Sequence, residues 1–192
     1  IVNLNDNLIE SDIKTGGWTE EMLLLYGKVF ICKKGGNYVY VIDVESDSVL
    51  DSIKVSAHPN SIVQDKNSML WVLSESALQQ INPSTFDVEK TISVNQEFPA
   101  SKLCVNGQND TLYFLNGGVK RFLIDQNDGS VQEFVPDNGR SFYGLGVNPR
   151  SGEVYVSDAI DYIQRSNIVI YTPLGIKKYH VLAGINASFF KF

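Results

Sequence analysis

A short apolar-aromatic pair recurs four times along this chain, as Val29-Phe30, Leu70-Trp71, Leu112-Tyr113 and Val154-Tyr155, at intervals of 41, 42 and 42 residues. A turn-forming stretch precedes each pair: "YGK", "DKNSM", "NGQNDT" and "NPRSGE". A second apolar run follows each pair and ends in a polar turn, with Asp43, Asn82, Asp125 and Thr172 at matching positions. A last run closes each unit: "LDSIKV", "EKTISV", "QEFV" and "KKYHVL". The runs alternate with period two and are rich in β-branched residues, which reads as strand rather than helix. No stretch carries a convincing helical period.

A unit of four short strands repeated every 40 to 45 residues is the pattern of a β-propeller blade. One such sheet cannot cover both of its faces, and stacking blades around an axis buries them. The sequence therefore predicts an all-β protein, a propeller of four-stranded antiparallel blades. Blades are expected at about 18–56, 57–96, 97–140 and 141–183, with Phe30, Trp71, Tyr113 and Tyr155 as filling between them. Part-blades are expected at both ends. Residues 1–15 resemble the last two strands of a blade, and "GINASFFKF" (184–192) resembles the first strand of another. Four blades and two part-blades make a small ring, so the expectation is one propeller domain, or a fragment of a propeller of roughly seven blades.

Composition narrows the partners. The 192 residues hold 16 Lys+Arg against 22 Asp+Glu, a net charge of −6 with pI about 4.9. Nucleic acid needs a basic footprint and is not an expected partner, and anionic membrane surfaces are disfavoured for the same reason. The longest apolar run, Met22 to Tyr26, is far shorter than a membrane-spanning helix. Ile1 opens directly into strand-like sequence rather than a leader, so this end does not give the localisation. Cys32 and Cys104 both sit within apolar strand patterns, where free cysteines act as small hydrophobes; a disulfide stays open as the alternative.

Motifs of catalysis are scarce. No nucleophile elbow, P-loop, H-E-x-x-H or C-x-x-C occurs. His58 precedes a first strand and His180 lies in a last strand, so they are not expected to share a metal. "DQNDGS" from Asp125 has its glycine one place early for a calcium loop and reads as a hairpin turn. Asn109 and Asn186 open formal glycosylation sequons. No cofactor and no metal are expected, and no catalytic set is assigned. Acids for an enzyme would have to come from Glu20, Glu21, Asp158 and Asp161.

Binding is expected on one rim. In a propeller, the loops leading into first strands and the loops between second and third strands share a face. Here these are "GGWTEE", "AHPNS", "EFPAS" and "GRSFYG", together with "CKKGGNY", "SESA", "LNGG" and "SDAIDYIQRSN". Loops on a rigid scaffold carry function, and aromatic platforms with a few polar groups suit an amphipathic ligand or a sugar. The expected ligand contacts are Trp18, Tyr38, His58, Asn60, Phe142, Tyr143, Asp158, Asp161 and Tyr162, with Phe98 on the same face. For Asp158 and Asp161 the readings are turn capping with an Asp-Arg pair through Arg165, ligand contact, or acid-base work.

Five blocks in order, "GGWTEEM", "YVIDVESDSVLDSIKV", "PNSIVQDKNSMLWVL", "LCVNGQNDTLYFLNGGV" and "FYGLGVNPRSGEVYVSDAIDYIQRSN", resemble the YncE-like, surface-layer-type β-propellers found among outer-membrane-associated lipoproteins. The resemblance spans nearly the whole chain. The family's C-terminal pattern GxxPxxFxF is met by "GINASFFKF", with Ala187 in place of proline. The resemblance implies about three further blades and a lipoprotein signal preceding this sequence. It also implies a place in the cell envelope, at the outer-membrane surface or in the periplasm. Some members capture cobalamin for an outer-membrane transporter. The leading expectation is thus a non-enzymatic surface propeller that binds a nutrient, cobalamin or a glycan. An envelope interaction scaffold is the alternative, followed by a metal-dependent hydrolase or lyase.

Overall fold

The computed structural model describes residues 1–126 and 129–192. The described residues form sixteen strands and no helix, grouped into four antiparallel sheets of four. The first sheet holds β1 (Met22–Leu25), β2 (Lys28–Lys33), β3 (Tyr38–Asp43) and β4 (Ser48–Lys54). The second holds β5 (Pro59–Gln64), β6 (Leu70–Ser74), β7 (Ala77–Ile81) and β8 (Val88–Ser93). The third holds β9 (Ser101–Val105), β10 (Thr111–Leu115), β11 (Val119–Leu123) and β12 (Gln132–Val135). The fourth holds β13 (Phe142–Val147), β14 (Val154–Asp158), β15 (Arg165–Tyr171) and β16 (Lys177–Ile185). Each sheet runs in chain order, and the first strands β1, β5, β9 and β13 pack side by side. This is the blade arrangement of a β-propeller.

Turn chemistry starts each strand pair. Between β5 and β6, Asp65 Oδ1 accepts the amides of Asn67 and Met69. Asn106 accepts the amides of Asp110 and Thr111, and Asn148 those of Arg150 and Ser151, at the same point of the next two blades. Asp43, Asn82 and Thr172 do likewise after the third strands, accepting the amides of Ser46, Ser84 and Leu174. Short side-chain acceptors that mimic a backbone turn explain why these types recur. The "DQNDGS" turn includes Asn127 and Asp128, outside the described residues; Gly129 beside them has a φ of 60°.

Three apolar clusters join the four blades. Phe30, Val39 and Val41 of the first blade meet Ile62, Leu70 and Ile81 of the second. Trp71, Leu73 and Leu78 meet Leu103, Leu112 and Phe122 of the third. Tyr113, Leu115 and Val135 meet Leu145, Val156 and Tyr171 of the fourth. The aromatic series is this filling: Phe30 lies edge-on to Phe86 of the next blade, and Trp71 lies 5.2 Å from Phe122. Among the described residues no further blade stands beside Tyr155. It packs instead on Phe190 and Phe192 of the C-terminal segment.

That segment departs from expectation. β16 runs through Ile185, and residues 187–192 lie outside any strand. They cross β13 at Gly144 and Gly146, where an added Cβ would come within 2.8 Å of the Ala187 carbonyl oxygen and 2.7 Å of Phe190. Glycine at both positions opens the groove in which the segment lies. Among the described residues no second strand lies beside it, so the segment has no ladder to join. Residues 1–14 carry one isolated bridge, Val2 to Ile9, rather than two paired strands. The outer faces of the end blades stay open: Met22 and Leu24 on one side, and Tyr179, Val181, Leu182 and Ile185 on the other, are exposed.

Candidate functional site

A single irregularity recurs at the mouth of all four blades. In the second blade Pro59 pairs with Ser74 and Ser61 with Leu73, which leaves Asn60 as an extra residue. In the fourth, Phe142 pairs with Asp158 and Gly144 with Ser157, leaving Tyr143. In the third, the register slips between the Ser101–Leu115 and Cys104–Tyr113 pairs, which places the extra residue at Lys102 or Leu103. In the first, Glu20 N donates to Cys32 O while Cys32 N donates to Glu21 O, so two residues again face one. A β-bulge bends its strand and re-aims a side chain, and bulges are enriched beside binding sites. Here four bulges turn Glu20, Glu21, Asn60, Ser61, Ser101, Lys102, Phe142 and Tyr143 toward one cleft of about 610 Å³. Lys34, Glu75, Pro99, Ala100, Tyr162 and Phe189 complete its lining.

The charges in the cleft are unequal in their surroundings. Glu20 is paired with Lys34 at 3.1 Å, and the Lys34 ammonium lies 4.7 Å from the Trp18 ring centre. Burial pushes the Glu21 carboxyl up, more strongly than the Ile62 amide and the Lys102 ammonium pull it down. The Ile62 amide donates to Glu21 Oε2 at 3.3 Å and ties the first blade to the second. Lys102 Nζ lies 5.9 Å from the Tyr143 ring centre and 5.3 Å from that of Phe189. No carboxylate of the described residues forms an ion pair with it. Tyr143 stands edge-on to Tyr162 at 5.7 Å.

The residues singled out from the sequence divide into two sets. Asn60, Phe142, Tyr143 and Tyr162 come together in the cleft. Asn60 is occupied there, since its amide donates to the Ala100 and His58 carbonyls and its oxygen accepts from Ser61. Trp18 is exposed beside the cleft on Lys34. His58 donates from Nδ1 to the Lys34 carbonyl at 2.9 Å and pins the loop after β2. Tyr38 opens β3 opposite Lys54, and Phe98 lies against Gly117; neither lines the cleft.

Both aspartates of the insertion cap backbone amides, Asp161 within the insertion and Asp158 both there and in the loop ahead of β13. Asp158 accepts the amides of Ser141 and Ile160. Asp161 accepts those of Ile163 and Gln164 and the Gln164 side-chain amide. These bonds hold the Asp161 carboxyl low, at about 2. The expected Asp-Arg pair is absent among the described residues, because Arg165 donates instead to the Ala183 carbonyl. The insertion is also short, since β14 and β15 take up both of its ends.

Lys102, Lys34, Glu75 and Phe189 were not picked out from the sequence. A signal for part of this set was present: Glu20-Glu21, Asn60-Ser61, Ser101-Lys102 and Phe142-Tyr143 stand 40, 41 and 41 residues apart, each at the opening of a first strand. A repeated residue pair at the opening of the strand marks the bulge. Attention to aromatics alone passes over it.

Among the described residues, no group of three or more His, Cys, Asp or Glu is placed to hold a metal ion. Four four-stranded blades with a bulge-lined cleft at the mouth define a β-propeller with a candidate binding face. The chain belongs to the family described as Domain of unknown function (DUF5074), which it matches over residues 1–171. No curated protein matches it. Similar solved structures include hydrazine synthase of Kuenenia stuttgartiensis, with a TM-score of 0.71 at 16% identity over 88% of this chain and 57% of that one. A quinonprotein alcohol dehydrogenase-like protein of Bacteroides thetaiotaomicron aligns with a TM-score of 0.69 at 18% identity, over 85% of this chain and 45% of that one. Virginiamycin B lyase of Staphylococcus aureus aligns with a TM-score of 0.70 at 14% identity, over 97% and 62%. This chain thus spans less than two thirds of each. At these identities the likeness establishes the propeller fold and not a shared reaction.

Proposed function

We propose that this protein is a non-enzymatic binding propeller of the cell envelope that holds a small amphipathic ligand at the bulge-lined mouth. The observation that carries the reading is the convergence of four equivalent bulges on one cleft of about 610 Å³, within the range typical of small-molecule sites. The Tyr143–Tyr162 pair supplies a ring platform, while Glu21, Ser101 and Lys102 supply polar groups. The neighbouring lyase lends no reaction to this chain, because fold alone does not carry chemistry.

The resemblance to surface-layer-type propellers makes cobalamin the first ligand to test and an outer-membrane transporter the corresponding partner. A corrinoid would project from the open mouth and lie against Tyr162 and Phe189, both exposed. The test is isothermal titration of cyanocobalamin and of soluble oligosaccharides into the full-length protein, with Tyr143→Ala and Trp18→Ala variants beside it. Tyr143→Ala is expected to weaken binding more than Trp18→Ala does, since only Tyr143 lines the cleft. Absence of heat with both ligand classes would remove nutrient capture and leave the interaction-scaffold reading.

A further inference from the structure

Lys102 has three properties that no other residue of the cleft combines. Its backbone is left-handed, with φ of 61°. A side chain with a Cβ adopts this conformation at an energetic cost, and such strain gathers at functional sites. Its ammonium lies between the rings of Tyr143 and Phe189. It forms no ion pair with a carboxylate, whereas Lys34 across the cleft is already paired with Glu20. A half-buried ammonium that lies near two rings, and feels the Glu21 carboxylate without forming an ion pair with it, keeps donors for an incoming acceptor.

We infer that Lys102 is the ligand anchor of the cleft and that the ligand presents to it a single oxyanion, such as a carboxylate, joined to a planar ring system that lies along Tyr143 and Tyr162. This rests on the binding reading given above and specifies its ligand class. The ion-pair geometry is charge-assisted, the stronger kind of hydrogen bond. The acids of the cleft set the limit of one charge. Glu20, Glu21 and Glu75 also line it, so a second anionic group on the ligand would meet a carboxylate. Polyanions such as nucleic acid and polyphosphate are rejected by the same arrangement, in keeping with the net charge of −6.

The experiment titrates the full-length protein with four probes that share one ring system: 1-naphthoate, naphthalene-1,4-dicarboxylate, 1-naphthylmethanol and 1-naphthylmethylamine. Naphthoate is expected to bind about tenfold more tightly than the alcohol, and the dicarboxylate and the amine more weakly than naphthoate. Lys102→Met is expected to bring naphthoate down to the level of the alcohol. Lys177→Met, on the exposed outer strand, is expected to change nothing, and circular dichroism confirms that each variant is folded. If naphthoate and the alcohol bind equally, or if Lys102→Met leaves naphthoate unaffected, the anchor is overturned. If in that case Tyr143→Ala still abolishes binding of the alcohol, the cleft remains a binding site and only its ligand class is wrong. If no probe binds, the anchor is overturned, and the binding reading is decided by the cobalamin and oligosaccharide titrations.

Discussion

Trp71 donates from its indole nitrogen to Asp65 Oδ2 at 2.8 Å, and both residues are withdrawn from solvent, at 1% and 2% exposure. Asp65 thus does two things at once. Its other oxygen closes the turn that starts β6, through the amides of Asn67 and Met69. Its second oxygen fixes the tilt at which Trp71 meets Phe122 of the next blade. Asp65→Ala leaves a buried indole N–H and two turn amides without their acceptor, at a cost of about 1–3 kcal/mol for each group left unsatisfied. Trp71→Phe removes one of those donors together with part of the packing. A double-mutant cycle on thermal unfolding should therefore give a double variant less damaged than the sum of the two single ones. Strict additivity would show that the bond contributes nothing of its own.

Gly107 lies where the third blade turns toward the fourth, and a Cβ there would sit 1.9 Å from the Pro149 carbonyl oxygen. The obstacle is backbone and cannot swing aside. Gly107→Ala must push the two blades apart at the Tyr113–Val154 cluster, an overpacking that costs about 1–3 kcal/mol or more. Gly27→Ala is the contrast, because nothing lies within 4 Å and only its φ of 69° opposes the change. Differential scanning calorimetry should find Gly107→Ala the more damaging of the two. Equal losses would mean that the blades have slack at this point.

The four-stranded blade repeat and its spacing were legible in the sequence because interblade filling repeats with the blade. Phe30, Trp71, Tyr113 and Tyr155 each answer the same packing problem, so they recur at nearly constant intervals. The cleft was legible only in part. Tyr143 and Tyr162 are conspicuous as aromatics in loops, but Lys102 and Glu75 are ordinary charged residues whose role comes from the direction in which a bulge points them. Direction is a property of register, and a one-residue shift in pairing inverts it. Asp158 and Asp161 misled for the opposite reason: an acid in a long loop reads equally as a ligand contact or as a cap. The choice depends on which backbone amides come within reach, here those of Ser141, Ile160, Ile163 and Gln164. The ends were hardest to read, since residues 187–192 have strand composition but no partner strand.

Glu21 links the cleft to pH. Its carboxyl is raised in the folded state, so the unfolded chain holds fewer protons between the unfolded value near 4.5 and the raised folded value. The contribution of this group to stability is therefore most favourable below about 4.5 and is lost as pH rises through the folded value. Glu21→Gln keeps the acceptor oxygen for the Ile62 amide and removes the charge. Its stability relative to the native protein should be higher at pH 7 than at pH 4, measured by urea unfolding at both. A difference independent of pH would place Glu21 in solvent.

Cys32 and Cys104 are unpaired and lie on the first and third blades, with the second blade between them. Burial pushes both thiols up, and the nearby Glu21 adds to the shift. The thiolate is the reactive form, so neither should react with a disulfide reagent at pH 8 on the timescale of minutes. Labelling followed by mass spectrometry should show both cysteines modified together, and only once the fold is opened by denaturant. Fast modification of Cys104 alone would mean that the face between the third and fourth blades opens locally.

The loop that carries Tyr162 is held by Asp161, whose carboxyl accepts three hydrogen bonds from Ile163 and Gln164. Each bond favours the ionised form, which takes the carboxyl from 3.8 down to about 2. A depressed folded value means that the contribution of this group to order is present above about 3.8 and fades as pH falls toward about 2. The amide signals of Ile163 and Gln164 report this directly in an NMR titration, because a hydrogen-bonded amide shifts when its acceptor is protonated. Their common midpoint should lie near 2, and both shifts should disappear in Asp161→Ala. A midpoint near 4 would show that the carboxylate is free in solution. The Tyr143–Tyr162 contact would then lose the turn that positions it, and with that turn one wall of the cleft.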